Sequence, residues 1–474
     1  MAWTAVQKYS TMMIQFISGI ILARLLTPHD YGCIGMLSIF MVLAETFIDG
    51  GFGSALIQKK HPTQQDYSTI FFWNLGMSVL LYVVLFFSAP TIARFYDIPL
   101  LCPVLRVQAL VLFIQAFNLV QRNQLRKKLN FKLLSVITIV TSIISLGVTI
   151  YMAYKDFGVW ALVAQNLISA TIPAIVFWFY VGWRPLWMFS WRSFKELFNF
   201  GAFMFLSSII NQFCGKLAGL LIGKFYSANT LGYFSKAMST EQLASSSISS
   251  IVTSVTYPLY AQVQDDKVAL ANMIKRLTTT IAYITFPLMF ILLLTAKSIF
   301  VLLYSEKWVA SVPYFQILCL IGLEECLQAV NTQTLAAIGK SKLMFQWTLV
   351  KRSFGLVFVI GGLYWFKMKG LMVGIVLFNY FCYFVNIGLV SKYIGYKWKQ
   401  QLLDIMPIAI VSVVSAVISF TITYFCHFGL FLDGIVKGIL CFGIYLAWSC
   451  IFQPESYKYT LGIIPSRFKF WEKE

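Results

Sequence analysis

The sequence predicts an all-α protein: a polytopic bundle of about fourteen membrane-spanning helices, arranged as two six-helix lobes followed by two C-terminal helices. Three observations predict this fold: the composition, the spacing of the apolar runs and an internal repeat. Of the 474 residues, 59% are hydrophobic and only 12% are charged, whereas soluble domains carry about 25% charged residues. A chain with so few charges lacks the polar surface that a soluble protein of this size needs.

The apolar runs set the number of spans. Runs of about twenty residues alternate with short polar connectors, which is the pattern of helices that each cross roughly 30 Å of hydrocarbon. The spans are expected near 4–24, 33–57, 68–89, 102–121, 133–154, 159–181, 198–223, 231–257, 277–303, 311–337, 344–366, 369–391, 403–425 and 433–452. Spans eight and ten are the least hydrophobic, so twelve spans remain an alternative.

The repeat indicates two lobes. Residues 21–32 (ILARLLTPHDYG) and residues 221–232 (LIGKFYSANTLG) are offset by 200 positions. Each stretch ends an apolar run with a cation, crosses a short polar turn and reaches a glycine. A half-chain repeat in a membrane protein is typical of two helical lobes that face a central cavity, which is transporter architecture.

The basic residues predict the orientation. The net charge of +19 is concentrated in the connectors that follow even-numbered spans and in the C-terminal tail. Basic loops remain on the cytoplasmic side, so both termini are expected in the cytoplasm. The first span has no basic leader or small-residue cleavage site and is expected to be retained.

The connectors give the expected boundaries. We predict an N-terminal lobe at 1–182, an interfacial cytoplasmic linker at 183–197, a C-terminal lobe at 198–398, and two further spans with a cytoplasmic tail at 399–474. The linker includes Arg184–Arg192, where tryptophans and cations suit the inner membrane interface. No connector is long enough to form a soluble catalytic domain.

Polar residues inside the spans are the candidate site residues, because a charge at mid-membrane costs at least ~2.5–3.5 kcal/mol. The expected substrate-binding cations are Lys216, Lys351 and Arg352, which lie about two turns inside their spans. The expected polar cavity lining is Gln15, Asn211, Gln212 and Asn331. The possible ion-coupling carboxylates are Glu45, Asp49 and Glu324. The alternative, pairing within the protein or snorkelling near a span end, is favoured for Lys8, Arg106, Lys236 and Lys437.

Cations inside a membrane cavity imply an anionic cargo by charge complementarity, and phosphate-bearing lipids suit this role. Nothing indicates an enzyme, since the chain has no Walker A sequence and its three histidines (His29, His61 and His427) are scattered. The nine cysteines form no CxxC pair, so no metal site or cofactor is expected. The segregation of charge to the membrane faces argues against nucleic acid as a partner.

Several strings in order resemble the Wzx-type polysaccharide flippases of the MOP superfamily (multidrug, oligosaccharidyl-lipid and polysaccharide exporters). The strings are ILARLLTPHDYG from Ile21, DGGFGSALIQKK from Asp49, STIFFWNL from Ser68, LRKKLNFKLL from Leu125, GVWALVAQNL from Gly158 and LFNFGAFMF from Leu197. The resemblance implies a MATE-like fold and alternating access between two lobes. It also implies movement of undecaprenyl-diphosphate-linked oligosaccharide from the cytoplasmic to the periplasmic leaflet of the bacterial inner membrane.

The resemblance further implies that Lys216 and Arg24 lie on the pyrophosphate path, with Lys351 and Arg352 as further candidates. The partners it implies are the lipid-linked anionic oligosaccharide, the membrane lipids, and a polysaccharide polymerase and glycosyltransferases. A proton or sodium gradient, or the membrane potential, would supply the energy. The alternatives are a MATE-like ion-coupled antiporter of small molecules, a lipid II-type flippase, and a polymerase or ligase, which would need a large external loop.

Overall fold

The computed structural model describes residues 2–263, 266–338, 341–426 and 428–463. Within these ranges the regular secondary structure is helical. The α-helices are α1 (Ala2–Leu25), α2 (Pro28–Asp49), α3 (Phe52–Gln58), α4 (Gln64–Tyr96), α5 (Leu101–Gln108), α6 (Leu110–Lys127), α7 (Phe131–Tyr154), α8 (Val159–Tyr180), α9 (Trp191–Phe225), α10 (Ala228–Gln262), α11 (Lys267–Tyr304), α12 (Val312–Ala337), α13 (Ser341–Ile394), α14 (Trp398–Cys426), α15 (Leu430–Phe452) and α16 (Glu455–Ile463). A short 3₁₀ helix, Glu306–Ser311, precedes α12.

The helices account for the predicted spans. Eleven segments of the described chain are long and apolar enough to cross a membrane. One of them, in α13, contains two helices, because the backbone leaves helical geometry at Phe366 and Lys367. The more polar α1 and α10, with 24 and 35 residues, fill the two remaining predicted positions. The chain is therefore a polytopic, multi-pass membrane protein, as predicted.

Local sequence explains where several spans begin. Thr27 and Thr63 each cap a helix, and in both cases the third residue of that helix, Asp30 or Asp66, bonds back to the backbone of the cap. Pro28 occupies the first turn of α2, where its missing N–H costs nothing. These capping boxes satisfy backbone donors that would otherwise be unpaired at the ends of the spans.

The contacts divide the chain into two compact units, 1–235 and 236–474. In the first unit, α2 packs on α9, α1 on α7, and α6 on α4 and α8. In the second unit, α11 contacts α12, α14 and α15, and its core includes the buried Tyr260, Tyr283 and Tyr445. The four predicted segments and the cytoplasmic position of the termini stay predictions. The basic residues beyond 463 and His427 lie outside the described residues.

Candidate functional site

The first polar site is built where α2 ends. Gly50 and Gly51 have left-handed φ values of 53° and 77°, which suit glycine because it has no Cβ. The chain turns here, and the Asp49 carboxylate accepts hydrogen bonds from the backbone N–H groups of Gly51 and Gly53. A Cβ on Gly53 would lie 2.8 Å from Asp49 Oδ1. The Asp-Gly-Gly-Phe-Gly string therefore makes a backbone cradle for a carboxylate inside a membrane span.

Glu45 lies one turn before Asp49 on the same face of α2. Its Oε1 accepts a hydrogen bond of 3.2 Å from Gln115 Nε2 of α6. Arg122, two turns further along α6, interacts electrostatically with both Glu45 and Asp49. The four side chains place two carboxylates, one amide and one guanidinium across the α2–α6 contact.

Two cavities in the first unit meet at Glu45. One, of about 290 Å³, lies among α2, α5, α6 and α8, and its polar lining is Ser38, Glu45, Gln108, Gln115, Asn166 and Ser169. The other, of about 220 Å³, lies between α2 and α9, and its polar lining is Glu45, Thr46, Asp49, Ser208 and Gln212. Glu45 is the charged residue common to both linings.

Of the other predicted residues of this unit, one lines a cavity. Gln212 lines the smaller cavity, and Lys216 lies one turn beyond it on α9. Asn211 is half-buried beside Gln212, whereas Gln15 is exposed on α1. Arg24 lies exposed in the last turn of α1.

The second polar site lies in the second unit and centres on Lys351. Lys351 Nζ donates to Asn386 Oδ1 at 2.9 Å, and Asn386 Nδ2 donates to Gln328 Oε1 at 2.8 Å. These bonds link both halves of α13 to α12. Among the described residues, no carboxylate forms an ion pair with Lys351. Because an amide carries no charge, the bond to Asn386 does not neutralise the Lys351 ammonium.

Two further predicted residues, Glu324 and Asn331, belong to α12, the helix that carries Gln328. Glu324 is 3% exposed and lies one turn before Gln328, and its Oε2 has no hydrogen-bond partner within the described part of the chain. Asn331 is fully buried, and its Oδ1 accepts a hydrogen bond of 3.1 Å from Gln401 Nε2 of α14. Arg352, beside Lys351, has its guanidinium carbon 5.8 Å from the centre of the Phe378 ring.

The structure thus brings Glu45, Asp49 and Gln212 together around one cavity of the first unit. It does not bring Gln15 or Arg24 into the lining of either cavity. Sequence reasoning missed Arg122 and Asn386. Arg122 falls one residue beyond the expected end of span four. The feature of the sequence that could have identified it is its spacing from Gln115 and Arg126, which places the three side chains on one helical face. Asn386 is an amide in the apolar twelfth span, a position where polar side chains need a partner.

The chemistry available at these residues is the binding of ions. The carboxylates of α2 can hold a cation or a proton, and the ammonium of Lys351 can attract an anion. The described residues contain no group of three His, Cys, Asp or Glu side chains placed to hold a metal ion. The roles assigned to individual site residues stay predictions.

The fold resembles that of a solved transporter. The inward closed structure of the lipid II flippase MurJ superposes with a TM-score of 0.77 and 14% sequence identity, covering 95% of this chain and 98% of MurJ. This likeness concerns the arrangement of the helices, and it confirms the predicted fold class.

Two relatives are similar in sequence. The teichuronic acid biosynthesis protein TuaB of Bacillus subtilis is 28% identical over 73% of this chain and 72% of its own length. The lipopolysaccharide biosynthesis protein WzxC of Escherichia coli is 23% identical over 89% of this chain and 86% of its own length. Residues 21–313, more than half of the chain, match the family model described as "Polysaccharide biosynthesis protein". These matches confirm the resemblance seen in the sequence, and the chain belongs to this polysaccharide biosynthesis protein family.

Proposed function

We propose that the chain is a flippase that moves undecaprenyl-diphosphate-linked oligosaccharide repeat units from the cytoplasmic to the periplasmic leaflet by alternating access. The repeat units would serve the synthesis of a surface polysaccharide, such as an exopolysaccharide, a capsule, an O-antigen or a teichuronic-like polymer. The chain acts as a transporter in this proposal and catalyses no covalent step.

Lys351 carries the proposal. A cation inside a membrane span is costly, and most such groups are neutralised by a carboxylate. Lys351 is instead held by a neutral amide relay to Asn386 and Gln328. The relay holds the ammonium through neutral partners, and a cation held in this way suits the binding of an anionic diphosphate.

The relatives support an anionic glycan cargo. Their names connect them with teichuronic acid and with lipopolysaccharide, and the solved structure of similar fold is named as a lipid flippase. The cargo we propose combines both properties, an anionic diphosphate head that carries a glycan and a polyprenyl tail that stays in the bilayer.

The remaining parts of the proposal concern setting and energy. The chain lies in the bacterial cytoplasmic membrane with both termini inside, since the basic connectors follow even-numbered spans. It would receive repeat units from glycosyltransferases and pass them to a polymerase. A proton or sodium gradient, or the membrane potential, would drive it, and Glu45, Asp49 and Glu324 are the coupling candidates.

The test uses a strain that lacks this gene and every other flippase of the class. Wild-type protein should restore surface polysaccharide, and Lys351→Arg should restore it at least in part. Lys351→Gln should leave lipid-linked repeat units accumulating on the cytoplasmic leaflet. Lys392→Gln is the matched control, because Lys392 is exposed at the end of the same helix. Normal surface polysaccharide in the deletion strain itself would refute the flippase proposal.

A second candidate is a MATE-like ion-coupled antiporter of small molecules. The observation that favours it is the 220 Å³ cavity, whose charged lining is the carboxylate pair Glu45 and Asp49, a setting that suits a cationic solute. Drug-resistance assays with the same strain distinguish the two candidates, since an antiporter would change resistance and leave surface polysaccharide intact. A lipid II-type flippase would instead be revealed by accumulation of cell-wall precursor.

A further inference from the structure

An apolar pocket on the surface of the first unit shares no lining residue with the two polar cavities. Its volume is about 430 Å³, within the usual size of a small-ligand site. Residues of α6 and α8 form the walls, and one residue of the α8–α9 connector closes the end. The lining residues are Ile114, Phe117, Ala174, Ile175, Trp178, Phe179 and Arg184.

The walls suit a hydrocarbon chain. Phe179 and Ile175 are 83% and 52% exposed, and they belong to a membrane span, so their surroundings are lipid. Ala174 lies about 9 Å along α8 from the end of the helix at Tyr180, at 1.5 Å per residue. The indole N–H of Trp178 donates to the carbonyl oxygen of Phe117 at 3.1 Å, which fixes the ring across the two helices.

Arg184 places a cation at one end of this pocket. Its guanidinium carbon lies 4.9 Å from the centre of the Trp178 ring, a cation–π geometry. The Gln64 side chain holds the connector at two points: its Nε2 donates to the Arg184 carbonyl oxygen at 2.7 Å, and its Oε1 accepts from Trp183 Nε1 at 2.5 Å. The position of the cation is therefore built by the fold.

Among the described residues, no carboxylate forms an ion pair with Arg184. Arg192 and Lys195 add positive charge in the following residues, whereas Glu196, the acidic residue closest to them in the chain, is paired with Lys59 at 3.1 Å. A cation at the end of an apolar pocket is complementary to a lipid whose head group is anionic.

We propose that this pocket binds an anionic glycerophospholipid of the inner leaflet, with its phosphate on Arg184 and an acyl chain between α6 and α8. The bilayer is the natural source, because the pocket opens to lipid and its cation lies where a span ends at the basic face of the membrane. The proposal goes beyond the flippase function and does not depend on it.

The test is lipid binding to purified full-length protein, measured by native mass spectrometry during titration with dioleoyl phosphatidylglycerol or dioleoyl phosphatidylcholine. Phosphatidylglycerol should bind more tightly than phosphatidylcholine at one site. Arg184→Gln should weaken its binding about fivefold, as expected for one interfacial cation, whereas Arg184→Lys should keep most of the preference. Ile175→Trp should fill the pocket and reduce binding of both lipids.

Arg192→Gln is the matched control, because Arg192 is an exposed cation in the first turn of α9 that does not line the pocket. Its effect on phosphatidylglycerol binding should be less than twofold. Equal losses for Arg184→Gln and Arg192→Gln would overturn the proposal, since they would indicate diffuse charge attraction. Equal binding of the two lipids would also overturn it. So would preferential displacement of phosphatidylglycerol by undecaprenyl phosphate, which would assign the pocket to a carrier lipid.

Discussion

Gly32 and Gly232 pack reciprocally, each against the backbone of the turn that precedes the other. A Cβ on Gly32 would overlap the carbonyl oxygen of Ala228, and a Cβ on Gly232 would overlap that of Pro28. Each contacted residue lies four positions before the opposite glycine, so the two contacts are equivalent under the 200-residue offset. The first turns of α2 and α10 therefore meet through backbone atoms, and only glycine allows so close an approach.

Gly32→Ala and Gly232→Ala should each destabilise the protein, by about 1–3 kcal/mol, as expected for overpacking of a close contact. Thermal unfolding of the purified protein in detergent measures the effect. Gly76→Ala is the control, since a Cβ at Gly76 would have no neighbour within 4 Å and alanine favours a helix. If all three variants unfolded at the same temperature, the reciprocal contact would not contribute to stability.

The repeat is visible in the sequence, but the close contact between Gly32 and Gly232 is not. A glycine after a polar turn has the same appearance whether it ends a helix, relieves strain or admits another backbone. The 200-residue offset pairs Arg24 with Lys224, and both lie in the last turn of their helices. What the pattern could not show is that Lys224 Nζ donates to the carbonyl oxygen of Phe95 at 2.6 Å, because Phe95 is distant in sequence.

Lys59 joins three segments at one end of the first unit. Its Nζ lies 3.1 Å from Asp66 Oδ2 and 3.1 Å from Glu196 Oε1, and its carbonyl oxygen accepts a hydrogen bond from Lys127. Asp66 is 1% exposed, so loss of its charged partner is costly. We expect Lys59→Gln to lower the free energy of unfolding by about 1–3 kcal/mol, measured by thermal unfolding in detergent.

Lys60→Gln is the matched control, since Lys60 is the exposed neighbour, and it should change stability by less than about 0.5 kcal/mol. Burial opposes the charge of Lys59, but its hydrogen bonds to Asp66 and Glu196 outweigh burial and raise its pKa. The stabilising contribution is therefore complete at neutral pH and is lost only as the pH rises above the ordinary lysine pKa of about 10.4. If Lys59→Gln and the wild-type protein had equal free energies of unfolding already at pH 8, the stabilising role of the Lys59 ion pairs would be contradicted.

Glu45 is the carboxylate expected to matter most for energy coupling, because it lines both cavities of the first unit. Glu45→Gln keeps an oxygen that can accept from Gln115, so stability should change by about 1 kcal/mol or less. Transport should fall and should no longer respond to an imposed proton or sodium gradient. Flipping assays in vesicles with and without each gradient measure this.

Glu306→Gln serves as the control for charge alone, since Glu306 is exposed in the 3₁₀ helix and its loss should leave the ion response unchanged. Unaltered ion dependence in both Glu45→Gln and Asp49→Asn would exclude this pair as the coupling site.

The candidate site was predicted in part. Intramembrane polarity identified Glu45, Asp49, Glu324 and Lys351, because charge is rare in a span and is visible in one sequence. Their partners were harder to find, since pairing across helices depends on which faces meet. Gln115 was visible as a polar residue of span four, but nothing in the sequence connected it with Glu45. The relay through Asn386 needed the fold, because its three residues lie 58 and 35 positions apart.

The bond between Lys351 and Asn386 gives the sharpest test of the second site. Asn386 is 3% exposed and bonds to both Lys351 and Gln328, so Asn386→Leu should destabilise the protein by about 1–3 kcal/mol by leaving both groups unpaired. Lys351→Met removes the ammonium that needs this partner. The double variant should therefore be less destabilised than the sum of the single variants, with a coupling of about 0.5–3 kcal/mol.

Chemical unfolding of the four proteins in detergent provides the double-mutant cycle. Lys297→Met, combined with Asn386→Leu, is the control cycle, because Lys297 is exposed on α11 and makes no contact with the relay. Its effects should add within about 0.5 kcal/mol. Additivity in the Lys351 cycle would show that the ammonium is not held by Asn386, and the fixed cation on which the flippase proposal rests would then be lost.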